Sequence, residues 1–385
     1  MIESNDADLK SIALSLSGGG VRAIAFHSGV LQYMAERGEL ESIDHISSVS
    51  GGSLFIGLVM SNSDFVWPSS KLYIEQVLPK IRIQLTSISL QSAAIKRLLF
   101  NPLNWRYVLS RANVVAKAIE AEWNIKVALG CVPNKPSWSI NGTTAETGRR
   151  FRFKNSQMGD YELGYADASD FPLASALAVS AAFPGGIGPL QIESAKFFWY
   201  KQDSWDSKER AKQVKLSFKK LHLYDGGLYD NLGLETFFDI GKQAFKVRTD
   251  HSINYLVVSD AGAAFVREEI PSALNPLRFK RIADISFDQS RALRVRSLIG
   301  FLQKQPRAGV FLQLGTDAID SIRKLGNDKS APQKILLSLP WLTKEQAHAA
   351  SHFKTSLKKL TDAEFQLISR HGYETAKWNA ELFSD

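Results

Sequence analysis

Two apolar runs near the N-terminus each break into glycines that open a helix, and this repetition constrains the fold more than anything else in the chain. The first run, IALSLS within residues 11–17, is short and β-branched at its start, and it ends in Gly18-Gly19-Gly20. A short apolar run closed by glycines predicts a buried strand. Val21, Ile24, Ala25, Val30, Leu31 and Met34 then recur at three- and four-residue spacing, which predicts a helix ending near Gly38. A second strand, expected over Ile43–Val49, leads into Ser50-Gly51-Gly52-Ser53 and the helical run LFIGLVM. Strand, glycine turn, helix, strand, sharp turn, helix is the opening of an α/β fold.

Three glycines between a strand and a helix point backbone N–H groups into one place, beside the positive end of the helix dipole. Such a turn holds either a phosphate or the oxyanion of an acyl-transfer intermediate. Residues 18–23, GGGVRA, also fit the dinucleotide pattern G-x-G-x-x-G/A, with Glu39 or Glu41 about 20 residues on. A ribose-binding acid belongs at the end of the second strand, however, and that strand ends in Val49-Ser50. No Lys-Ser or Lys-Thr follows the glycines, so a P-loop is excluded.

The second turn, Ser48-Val49-Ser50-Gly51-Gly52, is a nucleophile-elbow sequence with serine in place of the first glycine of G-x-S-x-G. A serine hydroxyl needs a positioned base to attack at neutral pH. None of the seven histidines lies in a glycine-rich loop after a strand. Asp225 does: it follows LHLY and opens the turn Asp225-Gly226-Gly227, where glycines let a carboxylate approach another loop closely. Asp260, after NYLVVS, is the rival base.

Between residues 65 and 125 the spacing is helical, without strand signals, and aromatics mix with bases in KRLLFNPLNWRYVLSRANVVAKAI. This segment is expected to be a helical insertion near the site. Leu98, Leu99, Phe100, Trp105, Tyr107 and Val108 beside Lys96, Arg97, Arg106 and Arg111 suit a membrane-surface helix. Strands are expected again over Trp138–Asn141 and Arg150–Lys154, a helix over Phe171–Ser180, and a polar loop over 201–219. From about residue 340 the chain reads as helical, with capping boxes at Thr343…Gln346 and Thr361…Glu364 and a stop at Gly372.

A formal charge of +8 favours anionic partners, and no nucleic-acid-binding motif accompanies it, so the expected partner is an anionic membrane surface. Cys131 is the single cysteine, which rules out an internal disulfide and a cysteine-based metal cluster. No run reaches the roughly 18 to 20 apolar residues of a membrane span. The acidic, polar start lacks the pattern of a secretion signal, so the expected location is the cytoplasm, peripheral at a membrane.

In order and spacing, SGGGVR at 17–22, SVSGG at 48–52 and DGGLYDNLG at 225–233 resemble the patatin-like phospholipases. NGTTAETG at 141–148, SAAFPGGIGPL at 180–190 and the C-terminal SLKKLTDAEFQLISRHGYETA extend the likeness over most of the chain outside 65–125. The resemblance implies a three-layer α/β/α patatin-like fold over residues 8–335, with residues 336–385 a helical extension packed on the same domain. It implies a phospholipase A or lysophospholipase activity without cofactor or metal. Ser50 is then the nucleophile and Asp225 its base in a dyad without histidine. Gly18, Gly19, Gly20 and Gly51 line the oxyanion hole, and Arg22 steadies the glycine loop or adds positive potential there. Ser17 and Ser48 depart from the family's usual Asp and Gly. Acyl transfer or triglyceride hydrolysis on the same dyad, or a latent lipid-binding effector, are the alternatives.

Overall fold

The computed structural model of the chain describes residues 11–383 except 185, 202–210, 248–252, 263–268, 273–274, 276 and 326–330. Its centre is a mixed sheet. Five strands run parallel in the order Gly309–Gln313, Tyr255–Asp260, Ile12–Leu16, Ile43–Val49 and Ser137–Thr144. Beyond the last of these the sheet continues as an antiparallel meander through Arg150–Lys154, Gln157–Asp160, Gly164–Asp167, Trp199–Lys201 and Lys212–Val214. Part of the polar loop expected over 201–219 lies outside the described residues; Lys201 ends one strand, and Lys212–Val214 form another within the segment.

Helices cover both faces, and the strand alternation shows how. Ile12, Leu14 and Leu16 point into the main core with the helices Gly20–Glu36 and Gly51–Ser61, whereas Ala13 points to the other side. There Ala13, Leu256 and Val258 pack with Leu298 and Phe301 of the long helix Leu277–Lys304. Because side chains alternate along a strand, one short apolar strand serves two cores. The arrangement is a three-layer α/β/α fold.

The helix Gly20–Glu36 is buried over nearly its whole length, because the C-terminal helix Asp362–Phe383 lies against it. Here the expected stop at Gly372 is corrected, since the helix runs through it. A Cβ at Gly372 would sit 2.1 Å from the Phe26 carbonyl oxygen, and one at Gly29 would sit 1.7 Å from that of Ser369. Each glycine thus admits the backbone of the opposing helix, and close packing, not chain reversal, is why glycine stands there. Both expected capping boxes form, at Thr343 with Gln346 and at Thr361 with Glu364.

Residues 65–125 are helical, including Leu78–Ser87, Leu90–Phe100 and Ala112–Glu122. Tyr73, Ile81, Leu85 and Ile119 anchor the segment in the main core. At its far end Leu99, Phe100, Leu103, Trp105, Val108 and Leu109 stay exposed, while Tyr107 packs against that core. Among the described residues no helix is long and apolar enough to cross a membrane.

Candidate active site

Strand register brings the two predicted loops together. Val49, the last residue of its strand, pairs with Asn141, and Asp225, the last residue of the antiparallel strand Lys220–Asp225, pairs with the adjacent Gly142. Ser50 and Asp225 therefore emerge side by side from neighbouring positions of one strand. Gly226 is required at this junction, because a Cβ there would lie 2.5 Å from the Asn141 carbonyl oxygen.

Ser50 has φ 49° and ψ −118°, a backbone conformation that a non-glycine residue adopts only at a cost of about 1–3 kcal/mol. A buried hydrogen-bond network holds it. The Ser50 N–H donates to Ser180 Oγ at 3.0 Å, and Ser180 Oγ donates to the Asn141 carbonyl at 2.7 Å. Ser180 also bonds Ser53 Oγ at 2.8 Å, Ser53 bonds Ser48 Oγ at 2.8 Å, and Trp138 Nε1–H donates to Ser48 at 2.8 Å. The serine that departs from the elbow glycine is thus a link in this chain, which rationalises Ser48 where a glycine is usual.

Asp225 is buried, and its carboxyl pKa is pushed up to about 7. Burial is the dominant cause; the Gly227 N–H, donating at 2.7 Å, and the Ser50 hydroxyl pull in the opposite direction. A carboxylate with this affinity for protons suits general-base work near neutral pH, whereas one titrating near 4 would be a feeble acceptor. The Thr143 hydroxyl donates to the Asp225 carbonyl, and the Asp225 N–H donates to that of Ala182, fixing the residue from both sides.

Asp260 is built differently. One of its oxygens takes two bonds from Arg291, at 2.6 and 2.9 Å, and the other accepts the Gly262 N–H at 2.9 Å. Both oxygens are committed to structure. His27 is also a core residue: Nε2 faces the Ser17 carbonyl at 3.0 Å and Nδ1 faces Ser259 Oγ at 2.7 Å. Burial holds its pKa down to about 4, so the ring is neutral at physiological pH and spent on these two bonds.

The helices Gly20–Glu36 and Gly51–Ser61 start beside each other, with no side-chain cap and no acidic residue in either first turn. A Cβ on Gly51 would fall 2.4 Å from Gly20 O and 2.8 Å from Gly20 N, a measure of how closely the two turns abut. Among the described residues, the N–H groups of Gly19, Gly20 and Gly51 have no acceptor. Two positive helix ends with unpaired donors meet next to Ser50, which is an anion-stabilising arrangement.

Two expected contributors to that pocket differ from the sequence reading. The Gly18 N–H is taken by the Asn231 carbonyl at 3.1 Å, so Gly18 is not a free donor. Arg22 does not line the pocket either: its guanidinium is buried and donates to the carbonyls of Ser351, Phe353 and Ala261 and to Thr355 Oγ1. It fastens the segment before the C-terminal helix across the glycine loop, where the Val21 N–H also donates to the Ser356 carbonyl. Burial and the neighbouring Arg291 lower its pKa to about 10.

Ser180 and Asn231 went unnoticed as site residues. The signal lay in SAAFPGGIGPL and DGGLYDNLG, but neither string says that its serine or asparagine reaches a turn far away in sequence. Among the described residues no group of three or more His, Cys, Asp or Glu side chains is placed to hold a metal ion.

Leu99, Phe100, Leu103, Trp105, Val108 and Leu109 form an exposed apolar group in the insertion, with Phe100 81 % and Leu109 85 % exposed. Lys96, Arg106 and Arg111 are exposed beside them, whereas Arg97 is paired with Glu122. The end of the group touches the turn that follows Ala182. A Cβ on Gly188 would lie 3.1 Å from the Leu109 carbonyl oxygen, and Gly188 belongs to the turn that follows Ala182, the residue bonded to Asp225.

Comparison with known proteins bears on the fold. The profile of the family described as patatin-like phospholipase matches residues 14–238. No curated protein matches the chain. Among solved structures, human GIVD cytosolic phospholipase A2 is similar over 97 % of this chain and 61 % of its own, at 11 % identity and a TM-score of 0.53. The same human enzyme in complex with methyl gamma-linolenyl fluorophosphonate inhibitor and terbium chloride is similar over 99 % of this chain and 59 % of its own, at 12 % identity and a TM-score of 0.51. The chain spans about three-fifths of the length of these structures.

Proposed function

The chain belongs to the patatin-like phospholipase family, and from that premise we propose that it hydrolyses carboxylic esters of membrane lipids, as a phospholipase A or lysophospholipase, through Ser50 and Asp225. One observation carries the reading: an elbow serine and a buried carboxylate with its pKa near 7 lie at adjacent register positions, beside two uncapped helix starts.

In the proposed reaction, Ser50 Oγ attacks the acyl carbon as Asp225 takes the hydroxyl proton. The N–H groups of Gly19, Gly20 and Gly51 receive the charge that develops on the carbonyl oxygen. Collapse of the tetrahedral intermediate expels the alcohol, to which Asp225 returns the proton. Water then releases the fatty acid from Ser50 by the same steps in reverse roles. The test is fatty-acid release from phosphatidylcholine and phosphatidylglycerol vesicles and from lysophospholipid micelles. Release by the native chain that is lost in Ser50→Ala is expected; undiminished release in that variant, or none from any of these lipids, overturns the proposal.

The exposed apolar and basic group around residues 99–109 supports contact with an anionic lipid surface. Apolar area removed from water contributes about 25 cal/mol per Å², and basic residues add attraction to anionic headgroups. Replacing Phe100 and Leu109 together by aspartate is expected to cut activity on phosphatidylglycerol vesicles about tenfold or more, while hydrolysis of a short soluble ester stays within about twofold. Equal loss on both substrates would show that the segment supports the site and not the interface.

A further inference from the structure

The Asn231 side chain lies beside both reacting side chains, and among the described residues nothing bonds its amide. The point where a Cβ of Gly18 would lie is 2.5 Å from Asn231 Oδ1 and 3.0 Å from Ser50 Cβ. The equivalent point at Gly227 is 2.9 Å from the same Oδ1 and 3.0 Å from Asp225 Oδ1. The Asn231 side chain therefore borders both the nucleophile and the base, at two places where only glycine leaves it room. Its main chain joins the same loops, since its carbonyl accepts the Gly18 N–H. The half-buried side-chain amide has no hydrogen-bond partner among the described residues.

Three other polar groups near Ser50 are occupied, and the Gly19, Gly20 and Gly51 N–H groups are those that face the oxyanion in the proposed reaction. Ser180 holds the elbow, the Gly18 N–H is taken, and Arg22 is turned to the segment beyond residue 350. Asn231 thus offers an acceptor and two donors that nothing among the described residues uses.

A serine–aspartate pair has a particular need in its second half-reaction. The attacking water must give one proton to the base, and its other proton requires an acceptor that fixes the oxygen's lone pair on the acyl carbon. A site that leaves this water unoriented loses the advantage of a held geometry. The geometry points to Asn231 as the residue that seats the hydrolytic water, with Oδ1 accepting one of its protons while Asp225 accepts the other.

The step balances within these groups. The water oxygen bonds to the acyl carbon as one O–H bond breaks toward Asp225, and the carbonyl π pair moves onto oxygen at the Gly19, Gly20 and Gly51 N–H groups. The carbonyl then re-forms, the bond from carbon to Ser50 Oγ breaks, and Asp225 returns its proton to Oγ. The fatty acid leaves.

This inference rests on the Ser50–Asp225 reading, and one experiment separates the two. With a p-nitrophenyl ester of a short acid, Asn231→Ala is expected to release about one equivalent of p-nitrophenol in a burst at close to the native rate. Steady turnover then falls about 10- to 100-fold, and the acyl group is found on Ser50 by mass. Fluorophosphonate labelling at the native rate shows that the variant is folded and its nucleophile competent. If Asn231→Ala does not label, Asn231→Ser is read in the same way. Burst and turnover falling together without acyl-enzyme, or turnover unchanged, overturn the role of Asn231. A native chain whose turnover survives Ser50→Ala overturns the underlying dyad instead.

Discussion

Replacing Asp225 by asparagine is expected to lower ester hydrolysis by about four orders of magnitude and, in the same protein, to raise the melting temperature at neutral pH. Both effects follow from one cause. Burial lifts the Asp225 pKa from 3.8 to about 7, so the folded chain holds a proton that the unfolded chain releases near 3.8. The contribution of this group to stability is fully present below about pH 4 and is lost as pH rises through 7, a penalty on the order of a few kcal/mol. Asparagine keeps the shape and the acceptor for the Gly227 N–H, ionises in neither state, and is free of that penalty. In the proposed mechanism Asp225 must be ionised to act, so kcat/KM of the native chain should rise with pH through an apparent pKa near 7. Thermal unfolding and hydrolysis, followed from pH 5 to pH 9, test both statements. A variant that is both inactive and less stable at neutral pH would show that Asp225 serves the fold first.

The second large effect is expected at Gly51. A methyl group there meets backbone on the opposite turn, 2.4 Å from Gly20 O and 2.8 Å from Gly20 N, and neither atom is a flexible side-chain end that could swing away. Gly51→Ala should push the two helix starts apart and take the Gly20 and Gly51 N–H groups off the developing oxyanion. Loss of one such donor costs about 10²- to 10³-fold in kcat. Gly241→Ala, where the nearest atom is Asp239 Oδ1 at 3.5 Å, is the matched control and should leave kcat unchanged. The two variants are compared by kcat on a soluble ester and by their unfolding temperatures. Equal kcat in both would remove the Gly20–Gly51 junction from the chemistry.

The parts of this architecture that were legible in the sequence are those written locally. An apolar run closed by glycines fixes a strand end, and helical spacing without strand signals marked residues 65–125 as an insertion. The capping boxes at Thr343 and Thr361 are three-residue patterns, and both form. What was not legible depends on which distant segment arrives. Gly372 has the identity of a helix stop, but the helix Gly20–Glu36 passes close enough that only glycine fits, and that neighbour lies more than 300 residues away in sequence. Arg22 sits in a glycine-rich motif and so suggested an oxyanion role; its real partners, Ser351, Phe353 and Thr355, are near the other end of the chain.

Short strands were the other omission. Gln157–Asp160 and Gly164–Asp167 contain polar residues and glycines and show no apolar alternation, so nothing in their composition favours a sheet. Asn155 and Ser156, both at positive φ, make the tight connection that pairs the first of these with Arg150–Lys154. An Asn-led two-residue turn is a hairpin signal, and it was present to be read. The junction of Val49 with Asn141 and Asp225 with Gly142 could not be read at all, because register between non-consecutive strands is set by packing across the whole sheet.

The central claim is that Ser50 is an activated nucleophile, and covalent labelling with a fluorophosphonate, followed by mapping of the modified peptide, tests it most directly. Stoichiometric modification of Ser50, absent in Ser50→Ala and strongly slowed in Asp225→Asn, is the predicted result. Modification of another residue, or none under conditions where the chain hydrolyses lipid, would contradict it.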